Sequence, residues 1–204
     1  FNAGEDIHRA VAAEVFGVGP DDVTSQQRSA AKMVNFGIVY GVTPWGLARR
    51  LGADTSVERA KQIIDDYKAR FAGINRFLEQ CIQQALNQGY VETVLGRRRN
   101  IPQIGSRQPQ TRSLGERMAI NTVVQGSAAD LIKIAMIDLH RRLPGEFPDV
   151  KMCLQIHDEL VFEVPNGRIE AAEPFIRERM EHAMDLAVPL DVETAWSENW
   201  IDAK

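Results

Sequence analysis

Arg28, Lys32, Phe36 and Tyr40 recur every four residues within RSAAKMVNFGIVYG. On a helix each four-residue step turns by only about 40°, so the four side chains form one gently spiralling stripe. Two cations come first and two aromatic rings follow. Cations bind phosphates, and rings stack on bases and sugars. The stripe therefore suits a nucleotide laid along a helix, with its triphosphate at one end and its base at the other. Singly, Arg28 and Lys32 also fit a solvated basic face, and Phe36 fits core packing. A core-facing helix, however, would not align its cations with its rings. Gly37 adds to the case, because glycine within a helix costs up to about 1 kcal/mol relative to alanine. Close approach of a ligand or a template base would justify that cost.

The chain has 204 residues, enough for one large domain or two small ones. Its hydrophobic content of 44% and charged content of 25% describe an ordinary globular protein. No apolar run approaches the roughly 18 residues of a membrane helix, and no signal peptide is visible. Cys81 and Cys153 sit in apolar contexts and read as buried free thiols, which fits a reducing, cytoplasmic setting. Net charge is −4, yet Arg97, Arg98, Arg99, Arg107, Arg112 and Arg117 crowd one stretch with few acids. A basic patch on an acidic protein is compatible with a phosphate backbone in one groove. The chain starts at Phe1, and FNAGEDIH has no start-like character, which reads as a fragment.

Helical spacing of apolar residues predicts helices over residues 7–16, from Ser25 to about Tyr40, and from Pro44 through Leu51. Two more are expected from Ser56 to Phe71 and from about Ile74 to Asn87, with Gly73 between them. Tyr90 to Leu95 alternates and the arginines follow Gly96, a short hairpin pattern. A long helical pattern covers about Arg112 to Leu143, with an interruption near residues 123–126. Strands are expected at Val150–Ile156 and Leu160–Val164, a helix at Ile169–Leu186 and a last strand at Leu190–Ala195. The order predicts an α+β fold: a mainly helical lobe over residues 1–109, then a lobe over 110–204 with a small antiparallel sheet packed on helices.

Two further constellations carry chemistry. In LQIHDELVF, the apolar flanks place His157, Asp158 and Glu159 at the apex of a tight hairpin, with Gln155 one alternation earlier. Adjacent carboxylates on a turn are usually solvated turn residues. An apex held by two strands can also present a carboxylate to a divalent cation, and Mg²⁺ favours one or two carboxylates plus phosphate oxygens. The other constellation is Arg117, Asn121 and Gln125, again four apart, among Met118, Ala119, Ile120, Val123 and Val124. Buried amides need partners. Those partners are either internal or supplied by minor-groove acceptors and sugar-phosphate atoms.

RSAAKMVNFGIVYG resembles the nucleotide-binding fingers helix of family A DNA polymerases, the bacterial DNA polymerase I type. QIHDELVFEVP is similar to the palm hairpin of that family. AGEDIHRAVAAEVFG, GYVETVLGRRRNIPQI and ERMAINTVVQGSAADLIK resemble the segments around them. The resemblance covers essentially the whole chain, in the family's order. It implies fingers over residues 1–109 and the C-terminal part of a palm over 110–204. It also implies addition of deoxynucleotides to a primer 3′ end in DNA replication and repair, with pyrophosphate leaving.

Residue by residue, the resemblance implies that His8, Arg28 and Lys32 bind the triphosphate, Lys32 also giving a proton to pyrophosphate. Phe36 stacks on sugar and base, and a phenylalanine here implies discrimination against dideoxynucleotides. Tyr40 gates the templating-base position. Asp158 is the metal-ligating, catalytic carboxylate, and Glu159 supports it. His157 and Gln155 contact the primer terminus, while Arg117, Asn121 and Gln125 contact the minor groove and the template-primer. Arg97 to Arg99 form a DNA-backbone patch or a surface patch without a role. The implied cofactor is Mg²⁺ in a two-metal site. The implied partners are primer-template DNA, deoxynucleoside triphosphates and the N-terminal remainder of a monomeric polymerase. The implied setting is the bacterial cytoplasm and nucleoid, away from membranes.

The family's second metal-binding aspartate lies in a DYSQIELR-like run, which this sequence lacks. Asp6, Asp21 and Asp22 have no strand context that would let them replace it. The expectation is that these residues alone do not polymerise. Three alternatives stay open at this level: a binding module without catalysis, a metal-dependent hydrolase using His157, Asp158 and Glu159, and a split polymerase completed by another chain.

Overall fold

Side-chain caps decide where the helices of the first half begin. The computed structural model describes residues 6–52 and 55–203; residues 3–5 of the AGEDIHRAVAAEVFG segment fall outside them. Asp6 caps α1 (Ile7–Phe16) by accepting from the Arg9 N–H, and Gly17 ends it at φ 66°. Thr24 caps α2 (Ser25–Val39). Its hydroxyl accepts from the Gln27 N–H while the Gln27 side chain accepts from the Thr24 N–H, a reciprocal capping box. Thr43 and Pro44 open α3 (Pro44–Leu51), and Ser56 opens α4 (Val57–Arg70). The next break falls at Phe71, where φ and ψ are −105° and 54°. Gly73 therefore lies inside the first turn of α5 (Ala72–Gln88) and does not separate two helices.

These helices share one apolar core. Val11 and Ala12 of α1 meet Ala31, Val34 and Ile38 of α2, Leu47 and Ala48 of α3, and Ala60, Ile63, Ile64 and Tyr67 of α4. Gly37 belongs to this packed side. A Cβ there would lie 3.2 Å from Val42 Cγ1. The close neighbour that makes glycine useful in mid-helix is thus the protein's own chain, which corrects the expected approach of a ligand or base.

β1 (Tyr90–Glu92) and β2 (Arg98–Asn100) pair antiparallel, with Tyr90 opposite Asn100. The hairpin is shorter than the alternation suggests, and Arg98 and Arg99 lie on its second strand. α6 (Pro109–Glu146) then runs as one helix. The expected interruption near residues 123–126 does not occur. Val123 and Val124 pack on Leu78, Cys81 and Ile120, and that tertiary packing outweighs the poor helix propensity of adjacent valines and a glycine. Near its start α6 presses on the 3₁₀ turn Pro102–Gly105. A Cβ at Gly115 would lie 2.7 Å from the Ile104 backbone nitrogen, so only glycine allows this approach.

β3 (Lys151–Ile156) and β4 (Glu159–Glu163) form a second antiparallel pair, with a register shift between Met152 and Leu154. Cys153 is the additional residue of that bulge. It is exposed, which corrects the expectation that both thiols are buried; Cys81 is buried, and both are free. Leu160, Phe162 and Val164 pack on Leu139, Leu143, Val150, Ala172 and Ile176, joining this hairpin to α6 and to α7 (Ile169–Glu181). α7 ends earlier than expected. Residues 190–195 form no strand; Val192 donates its N–H to Glu181 and Thr194 its hydroxyl to Glu173.

The architecture is α+β: helices with two small antiparallel sheets. By packing the chain divides into two compact units, one up to Val124 and one from Gln125 onward. Among the described residues no helix is long and apolar enough to cross a membrane.

Candidate functional site

The first unit carries the stripe. α2 buries Ala31, Val34, Asn35, Gly37 and Ile38, and this turns Arg28, Lys32 and Phe36 to solvent. Phe36 is 47% exposed, so core packing does not account for it. Its ring lies parallel to that of Tyr40, 6.3 Å between centroids and 6° between planes. Lys32 Nζ stands 6.0 Å from the Phe36 centroid. From the neighbouring helix α1, the His8 ring lies 5.8 Å from the same ring. The structure thus brings together His8, Lys32, Phe36 and Tyr40 and sets Arg28 one turn before Lys32. The surface is cationic at one end and aromatic at the other.

Two residues to which the sequence assigns no role at the stripe organise this surface. Asp6, besides capping α1, accepts from Arg28 Nε at 2.6 Å. The Arg28 guanidinium holds the Asp6 carboxyl below its ordinary value, and the Arg9 N–H helps. Asn35, buried beneath the stripe, meets His8, with its Nδ2 2.7 Å from the ring Nδ1. A buried asparagine in mid-helix was the available signal, since it needs a partner that helix geometry does not supply.

His8 is held below the ordinary histidine value of 6.5. Burial is the leading cause; the Asp6 carboxylate opposes it, and the Arg28 and Lys32 charges reinforce it. As pH falls, the unfolded chain therefore takes up this proton first. The stabilisation is complete above about pH 6.5 and is lost as pH falls through the lower folded value. Thermal unfolding should accordingly show a drop in midpoint between about pH 7 and pH 5 that is steeper in the native chain than in His8→Gln. Parallel pH profiles would contradict this.

The turn after α2 brings in α6. Gly41 has φ 75°, and a Cβ there would lie 3.0 Å from Arg117 Cγ. The Arg117 stem therefore lies over the end of the stripe, and its guanidinium donates to Ser113 Oγ. Asn121, one turn on, has a buried Oδ1 without a hydrogen-bond partner. Gln125, a further turn along, is exposed and begins the second unit. In the arginine cluster, Arg98 pairs with Glu92 at 2.7 Å and lies over the Tyr90 ring, and Arg99 donates to Thr122 Oγ1. These contacts give both arginines structural roles.

The second unit carries the hairpin apex. The two-residue turn needs positive φ, normally supplied by glycine or asparagine. Here His157 adopts φ 54°, a strained choice for a histidine. The Gln155 amide donates to the His157 carbonyl at 2.5 Å and braces the turn. Asp158 and Glu159 are exposed at the apex. No group of three or more potential metal-ligating side chains occurs among the described residues. The donor set fits a hard cation that takes one or two carboxylate oxygens and fills its remaining positions with phosphate and water.

The profile of DNA polymerase family A matches residues 1–202. The chain belongs to DNA polymerase family A. It is 46% identical over 204 residues to DNA polymerase I of Bacillus subtilis (strain 168), covering all of this chain and 23% of that protein. It is 42% identical over 200 residues to DNA polymerase I of Mycobacterium bovis, covering 98% of this chain and 22% of that protein. A solved structure of the POL domain of Pol1 from M. smegmatis, in complex with DNA primer-template and dNTP, superposes with a TM-score of 0.93. Its identity is 40%, over 99% of this chain and 35% of that one. This family A chain thus spans about a quarter of the length of the curated relatives it matches.

Proposed function

We propose that this chain supplies the nucleotide-receiving surface and one catalytic carboxylate of a DNA-directed DNA polymerase. The carrying observation is the exposed stripe on α2, whose cations and rings are ordered as the parts of a nucleotide are. Arg28 and Lys32 hold the triphosphate. Phe36 stacks on sugar and base, and Tyr40 stands where the templating base enters. His8, beside Phe36, donates to a phosphate oxygen. Membership of family A supports these roles, as does the likeness to a polymerase domain in complex with primer-template DNA and dNTP.

Nucleotidyl transfer needs little covalent help from the protein; positioning and charge neutralisation supply most of the acceleration. Asp158 is the residue that would hold Mg²⁺, with Glu159 beside it. When bound, divalent ions activate the primer hydroxyl and stabilise the leaving oxygen. Lys32 Nζ gives its proton to pyrophosphate as the bond to the α-phosphorus breaks, so that the leaving group departs with less charge. His157 and Gln155 face the primer terminus. Arg117, Asn121 and Gln125 contact the minor groove, where every base pair offers acceptors at similar positions, so such contacts sense pair shape without reading sequence. The buried Asn121 Oδ1 has no hydrogen-bond partner among the described residues, which supports a partner supplied by DNA. The work is replication and repair in the bacterial cytoplasm, by a monomer.

The 204 residues contain no DYSQIELR-like run, so the second aspartate comes from another part of the polymerase. Primer extension tests this. The whole polymerase is expected to extend a primer with Mg²⁺ and dNTPs, and the 204-residue chain is expected not to. Robust extension by the isolated chain would overturn the division of the active site.

A further inference from the structure

Among the described residues of the stripe region, His8 and Asn35 form a contact whose chemistry depends on which His8 ring nitrogen carries a proton. Asn35 is 5% exposed, one residue before Phe36, on the buried side of α2. Its amide meets His8 Nδ1 at 2.7 Å, and its Oδ1 has no partner. Two arrangements satisfy the contact. With Nδ2 toward the ring, one N–H donates to Nδ1, and the oxygen and one N–H are left unpaired. With the amide reversed, Nδ1–H donates and two buried N–H groups are left unpaired. Orphaned buried donors are the rarer case. A ring with Nδ1 accepting and one proton carries it on Nε2. Burial and the cations of Arg28 and Lys32 disfavour the doubly protonated ring, against the pull of Asp6.

We propose that Asn35 is a positioning residue for nucleotide binding: its Nδ2 donates to His8 Nδ1 and so reserves Nε2–H as a donor to a nucleotide phosphate. The proposal rests on the reading of His8 as a phosphate contact. Without Asn35 the neutral ring divides between two tautomers, and the one with a bare Nε2 repels phosphate.

The test is single-turnover incorporation by the whole polymerase, which separates the Kd for dNTP from the rate at saturation. At about pH 8, Asn35→Ala is expected to raise the dNTP Kd about tenfold, leaving the saturated rate and the DNA Kd within about twofold. Once pH falls below the lowered folded value of His8 the defect should shrink, because a doubly protonated imidazole carries Nε2–H in any case. The dNTP's own titration is shared by both proteins and cancels in their ratio. In a His8→Ala background, Asn35→Ala should add nothing. An equal defect at every pH, or one additive with His8→Ala, would overturn the proposal. If His8→Ala itself leaves the dNTP Kd unchanged, the phosphate role of His8 fails and the role of Asn35 falls with it. If His8→Ala weakens dNTP while Asn35→Ala does not, only the role of Asn35 fails. Asn35→Leu, close in shape and without hydrogen-bonding groups, gives the same readout if the alanine variant folds poorly, folding being judged by DNA affinity.

Discussion

Asp158→Ala is expected to lower primer extension by the whole polymerase on the order of 10³-fold or more. A metal ligand at the reacting phosphate accounts for several kcal/mol of transition-state stabilisation, and each 1.36 kcal/mol is about tenfold in rate. The hairpin itself should survive the change. Asp158 is exposed at the turn, whereas the turn's strain lies at His157 and its brace is the Gln155 amide. The hairpin is anchored by Leu160, Phe162 and Val164 in the core beneath. The loss should therefore appear in the saturated rate, with DNA affinity and thermal unfolding close to native. Retained extension would refute the assignment of Asp158, and a collapse in stability would mean that the loss was structural.

The second large effect is expected at Lys32. Lys32→Ala should slow the saturated rate of incorporation by about 10²- to 10⁴-fold, the usual range for a lost general acid, with DNA affinity changed only a few-fold. The geometry supports that split. Lys32 is exposed on the stripe and stands over the Phe36 ring, while the core under it is made by Ala31, Val34 and Ile38. Removing it deletes a proton and a charge without disturbing packing. Lys32→Arg should restore nucleotide affinity but little of the rate, since guanidinium holds its proton too firmly to give it up. Equal losses of rate and DNA affinity would argue that Lys32 is merely an electrostatic anchor.

What could be read from the chain, and what could not, follows from the range of the interactions involved. Helix starts at Asp6, Thr43 and Ser56 rest on hydrogen bonds three residues long, so local sequence states them. The stripe on α2 is equally local, because four-residue spacing on a helix needs no tertiary knowledge. Continuity of α6 through Val123 and Val124 depends on Leu78 and Cys81 from a distant helix, and no local rule reports that. The alternation near Val192 resembles a strand, but its N–H is taken by Glu181 of α7 instead of a neighbouring strand. Gly37 follows the same logic: its close neighbour is Val42, around the turn that ends α2, and not a bound group. Asn35 went unassigned because its partner, His8, lies 27 residues earlier. The thiol of Cys153 reached the surface through a bulge, which shifts the register that simple alternation assumes.

The central claim is that α2 receives the incoming nucleotide lengthwise. Its most direct test is a structure of the whole polymerase with primer-template, a non-hydrolysable dNTP analogue and Mg²⁺. The account predicts phosphate oxygens within hydrogen-bonding distance of Arg28 and Lys32, the sugar and base against Phe36, and Asp158 on the metal. A nucleotide bound with its base toward Arg28, or away from α2 altogether, would contradict it.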